Sequence, residues 1–163
     1  MRTVVIFIFA LVGACSTAPK DLLGPIELHQ LKQQPHSEWF TAEYDNYNPF
    51  TKTTDQLKPL VQDVEITLFM GTWCADSQLQ VPVFFRVLDA VDFEGDVSII
   101  AVDKDKKTPS GSATLNGITH VPTFIFYKNG KEINRIVESP VHFLEEDMLT
   151  ILSGAAYKHT YQE

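Results

Sequence analysis

The chain carries two cysteines, Cys15 and Cys74, in surroundings that point to different chemistry. Cys74 stands in Gly71-Thr72-Trp73-Cys74-Ala75-Asp76-Ser77, after an alternating apolar run and before a segment of helical spacing. A thiol at a helix start meets unpaired backbone N–H groups and the positive end of the helix dipole, which favours the nucleophilic thiolate. Ser77, one turn along, can donate a hydrogen bond to that thiolate without being oxidised, or can serve as a first-turn residue satisfying backbone groups. Asp76 suits the helix start but opposes a nearby thiolate, and is expected to point to solvent. Trp73 offers a flat apolar surface beside the thiol to a partner chain, or packs into the core.

Cys15 closes a different pattern. Met1, Arg2 and Thr3 precede an apolar run over residues 4–14, the basic start and short hydrophobic stretch of a secretory signal, too short to span a bilayer permanently. Leu11-Val12-Gly13-Ala14-Cys15 resembles the lipobox of bacterial lipoproteins, which implies lipidation of Cys15. Ser16 rather than Asp follows, which by the same resemblance implies the outer membrane of a Gram-negative bacterium, within the cell envelope and facing the periplasm. The alternative is ordinary cleavage to a soluble exported protein. Lipidation would consume Cys15 and leave Cys74 without a disulfide partner.

The formal charge is −8, and no Lys or Arg cluster interrupts it, so nucleic acid and anionic lipid surfaces are excluded as partners. The expected membrane link is the lipid alone. His29, His36, His142 and His159 are scattered without paired ligand spacing, so no metal and no cofactor is expected. His120 can touch substrate or tune Cys74, or stand as a solvated loop residue.

Positioning Cys74 requires a domain around it. With 44% apolar residues the chain is expected to form one domain over residues 41–157, behind a signal peptide at 1–14, a lipidated tether at 15–40, and ahead of a polar tail at 158–163. The tether contains Pro19, Pro25 and Pro35 and is expected to hold little regular structure. An aromatic-rich stretch then leads to an edge strand and a brief helix from Thr54 that Pro59 would end. Residues 64–70 alternate as a strand, and the following helix carries Leu79, Val83, Val87, Leu88 and Val91, with a kink expected at Pro82. Residues 97–102 read as a strand, and 124–127 and 133–137 as a hairpin across Asn129-Gly130. Ser139 and Pro140 would cap a final helix with Val141, Leu144, Met148, Ile151 and Leu152 on its apolar face.

Three features in this order resemble the thioredoxin superfamily: a strand running into Trp73-Cys74, Pro82 eight residues later, and Gly117-Ile118-Thr119-His120-Val121-Pro122-Thr123 before a hairpin. The resemblance implies an α/β, thioredoxin-like fold with a central mixed sheet flanked by helices. It also implies a cis Val121-Pro122 peptide facing Cys74, with the Val121 backbone pairing to an extended segment of a partner protein. Ser77 replaces the resolving cysteine of dithiol members, and Leu68 replaces their buried acid, so self-resolution of a mixed disulfide is impossible. Two functions follow. One is monothiol exchange with protein thiols and disulfides; the other is a redox-silent binding module using the groove between Trp73 and Pro122.

Overall fold

The computed structural model describes residues 21–162. A five-stranded mixed sheet in the order β1-β3-β2-β4-β5 forms its centre, as the α/β reading requires. β2 (Glu65–Met70) lies between β3 (Val97–Ala101), which it pairs in parallel, and β4 (Thr123–Lys128), which it pairs antiparallel. Flanked on both sides, β2 buries both faces: Ile66, Leu68 and Met70 join the larger core cluster and Phe69 the smaller. β5 (Lys131–Val137) completes the hairpin, and Asn129 and Gly130 both take positive φ, the backbone a two-residue turn needs between twisted strands.

α4 (Ala75–Ala90) follows β2 and buries Val81, Phe84, Val87 and Leu88 against the sheet, running through Pro82 as one helix. Leu79, expected on that apolar face, is exposed instead. It sits two residues from both Ser77 and Val81, which turns it about 200° from their stripe. α5 (Ser112–Leu115) contributes Ala113 to the smaller cluster, beneath the cis-proline loop.

The N-terminal expectations need correction. β1 (Gly24–Ile26) joins the sheet antiparallel to β3, α1 (Leu28–Leu31) follows it, and α2 (Ser37–Asn46) is a helix where an edge strand was expected. Buried Ile26, Leu31 and Phe40 explain the order of this stretch, for they enter the same core as the sheet. α3 (Thr51–Val61) starts before Thr54 and continues past Pro59, because Leu57 and Val61 are fully buried on either side of the missing N–H.

α6 (Leu144–Leu152) begins later than Pro140. Buried Asp147 accepts the N–H groups of Val141 (2.6 Å) and His142 (3.3 Å), which holds the stretch after Pro140 as a loop and leaves Val141 exposed. Buried Glu145 accepts from the Tyr47 hydroxyl (2.7 Å) and the Phe50 N–H (2.9 Å), fastening the α2–α3 connection to α6.

Candidate functional site

At the end of β2 the chain turns through a bond from the Cys74 N–H to the Gly71 carbonyl (3.0 Å) and enters α4. Cys74 is the N-cap, with extended backbone, and its carbonyl accepts the Gln78 N–H (3.0 Å). The Gln78 side-chain amide reaches back to the Thr72 carbonyl (2.8 Å), tightening the turn that presents the thiol.

Trp73 is fixed on both its edge and its face. Its indole N–H donates to the Val102 carbonyl (2.9 Å), and the Lys106 ammonium lies 5.9 Å from the ring centre. The ring also lies across Gly71: a Cβ there would come within 2.6 Å of it, so glycine is what lets the indole lie so close to the backbone. Beside it, a cavity of about 350 Å³ is lined by Asp21, Leu22, Leu23, Trp73 and residues 103–105. The N-terminal segment passes this cavity, with the Leu22 N–H donating to the Thr72 hydroxyl (3.1 Å).

The Val121–Pro122 peptide is cis, and the Cys74 thiol donates to the Val121 carbonyl at 3.2 Å. Trp73 and Cys74 pack together against the smaller core cluster that holds Val121. The structure therefore brings Trp73, Cys74, Val121 and Pro122 into one place.

Ser77 is nearby but otherwise engaged. It is fully buried, and its hydroxyl accepts the Gly71 N–H at 3.2 Å, the role of a group satisfying backbone. Asp76 departs from the expectation of solvent: half-buried, it places a carboxylate oxygen 4.0 Å from the Cys74 sulfur. The helix dipole and this carboxylate act on the thiol with opposite signs.

His120 is held in the loop by Thr119, whose hydroxyl is 3.0 Å from Nδ1, and its carbonyl accepts from the Thr123 hydroxyl (2.7 Å). Its ring stacks on Tyr161, with centroids 3.8 Å apart and planes 14° from parallel. Tyr161 donates to the Glu138 carboxylate; that bond, helped by the negative charge of Asp76, raises its pKa. Tyr161 lies in the stretch that the sequence marks only as a polar tail, where an aromatic side chain is the signal of a packed contact. Among the described residues no group of three or more His, Cys, Asp or Glu side chains could hold a metal ion. Cys15 and the apolar run before it lie outside the described residues.

Comparison with known proteins agrees with this geometry. The thioredoxin family model matches residues 48–148. Thioredoxin of Malassezia sympodialis is 36% identical over 93 residues, covering 56% of this chain and 80% of its own length. Thioredoxin of Gallus gallus is 30% identical over 97 residues, covering 60% of this chain and 88% of its own. The crystal structure of a Pseudomonas aeruginosa protein of unknown function shares the fold, with a TM-score of 0.55 at 15% identity over 74% of this chain and 82% of that one. Strand, turn and thiol at the start of α4, facing a cis-proline loop, together with these matches, place the chain in the thioredoxin family.

Proposed function

We propose that the chain is an exported, lipid-anchored member of its family that performs single-thiol disulfide exchange with partner proteins. The observation that carries this reading is the Cys74 sulfur 3.2 Å from the Val121 carbonyl of a cis Val121–Pro122 peptide, with serine in place of a second cysteine. Thioredoxin-family proteins generally act on protein thiols and disulfides.

In the resting protein the Val121 carbonyl accepts from the thiol. Once Cys74 loses its proton, that carbonyl is free to accept an N–H from an extended partner segment lying along the loop. The thiolate attacks one sulfur of the partner's disulfide; the old S–S bond breaks as the Cys74–partner S–S bond forms, and the other sulfur leaves as a thiolate that takes up a proton. The exchange is redox-neutral in itself. A second thiol, on the partner or on a separate reductant, must then attack the mixed disulfide and release Cys74. Ser77 supports the site by holding Gly71, and no second sulfur stands there to resolve the intermediate.

Lipid on Cys15 would also orient the site. Five residues separate Cys15 from Asp21, a span of at most about 20 Å, and the chain then runs past Trp73. An anchored protein would hold its Cys74 face toward the membrane surface. Loss of labelling by a fatty-acid probe in Cys15→Ala tests the anchor.

The exchange is tested by incubating the purified protein with a peptide disulfide and measuring the mixed disulfide by mass. The expected result is an adduct on Cys74 that a small thiol releases and that is absent from Cys74→Ser. No adduct, with peptide binding retained in Cys74→Ser, would replace exchange with the redox-silent binding module, a reading that the Asp76 carboxylate 4.0 Å from the sulfur favours.

A further inference from the structure

The segment after α6 returns to the site along β5. Gly154, at positive φ, ends the helix, and the Ala155 N–H closes onto the Thr150 carbonyl (3.1 Å). The Tyr157 hydroxyl then donates to buried Asp147 (2.8 Å), while its carbonyl accepts from the Asn134 side chain on β5 (3.2 Å). Further along, His159 lies near enough to Arg135 and His120 for both to lower its pKa, alongside the burial that is the larger cause. The Tyr161 N–H meets His159 Nδ1 (3.2 Å), and the Tyr161 side chain ends on His120 and Glu138. The segment thus tracks β5 from Asn134 to the residue just past its end, and stops one residue from Val121.

We propose that residues 155–162 form a strap whose Tyr161–His120 stack closes one side of the Cys74 groove, so that an extended partner segment must lift Tyr161 to reach the Val121 backbone. Three observations support it independently of the thiol chemistry. The strap is fixed at its near end by a buried acid, so its far end can move without being lost. The Tyr161 side chain rests on the His120 ring and a surface bond to Glu138 and is 45% exposed, so lifting that ring breaks contacts at the surface rather than in the core. Tyr161 stacks on His120, and the next residue, Val121, accepts from the Cys74 thiol at 3.2 Å, which puts the ring beside the thiol. The nature of the admitted partner, an extended segment bearing a disulfide, rests on the function proposed above; the strap itself does not.

The experiment measures Cys74 labelling in the full chain by iodoacetamide and by a maleimide on a long polyethylene glycol chain, in parent, Tyr161→Ala and Tyr161→Phe proteins. Tyr161→Ala is expected to speed the bulky reagent about three- to tenfold, the factor released when a stack of ordinary strength no longer competes, and to change iodoacetamide labelling less than about twofold. Tyr161→Phe, which keeps the stack, is expected to lie between. Equal rates with the bulky reagent, or equal acceleration of both reagents, would overturn the strap. Exchange with the peptide disulfide, run on the same proteins, separates the two proposals. Absence of adduct in every variant defeats the exchange reading while the labelling ratio still decides the strap, and slower adduct formation in Tyr161→Ala would make Tyr161 a binding surface and overturn its role as a barrier.

Discussion

Cys74 sits between two opposed influences, the start of α4 and the Asp76 carboxylate 4.0 Å away. At that separation a unit charge acts with about 1 kcal/mol in water and more where solvent is partly excluded. Asp76→Asn is therefore expected to speed iodoacetamide labelling of Cys74 at pH 7 by about five- to tenfold, read from the second-order rate constant. Ser77 gives the converse case. Removing its hydroxyl strands the buried Gly71 N–H, so Ser77→Ala is expected to cost about 1–3 kcal/mol in a urea melt while labelling of Cys74 changes little. Reading a short motif located these residues, because the strand, the thiol and the cis-proline segment adjoin in sequence in a recognisable order. It left the two roles of Ser77 open, because a rotamer choice decides between the sulfur and Gly71. A rotamer likewise decides between solvent and sulfur for Asp76, where the sequence favours solvent and the structure sets the carboxylate 4.0 Å from sulfur.

Among the elements, those whose periodicity spans one uninterrupted run were legible, namely β2, the strand β3 beside it, α4 and the β4–β5 hairpin. β1, α1 and α2 were not. Three residues of strand and four of helix offer too few positions for a period to show, and their order comes from distant partners such as β3 and the shared core. α2 adds a pH dependence. His36, its N-cap, is 7% exposed, and burial lowers its pKa from 6.5 against a smaller upward pull from Asp21. The unfolded chain then binds a proton at higher pH than the folded one. The contribution is fully present above about 6.5 and is lost as pH falls toward the lowered folded value. The urea midpoint is expected to drop between pH 7 and 5.5, and His36→Asn to flatten that slope; a parallel slope in the variant would shift the effect to other groups such as His159.

At the scale of the molecule, a mixed α/β sheet packed against helices follows from alternating apolar strands and one long amphipathic helix, which the sequence displays openly. The return of the last residues to the Cys74 face does not, for it depends on contacts of Tyr157 and Tyr161 with residues 10 and 23 positions away. No described helix is long and apolar enough to cross a membrane. A sheet open at both sides invites pairing with other chains, and each side here is blunted differently. β1 is three residues long and contains Pro25, which has no N–H to offer a neighbour. β5 is longer, and the residues that bring Tyr161 to His120 also run beside it, with Asn134 bound to the Tyr157 carbonyl. Shortening the chain before Tyr157 would then do more than open the groove: it would uncover β5 from Asn134 onward, and the truncated protein should self-associate as its concentration rises where the full chain does not.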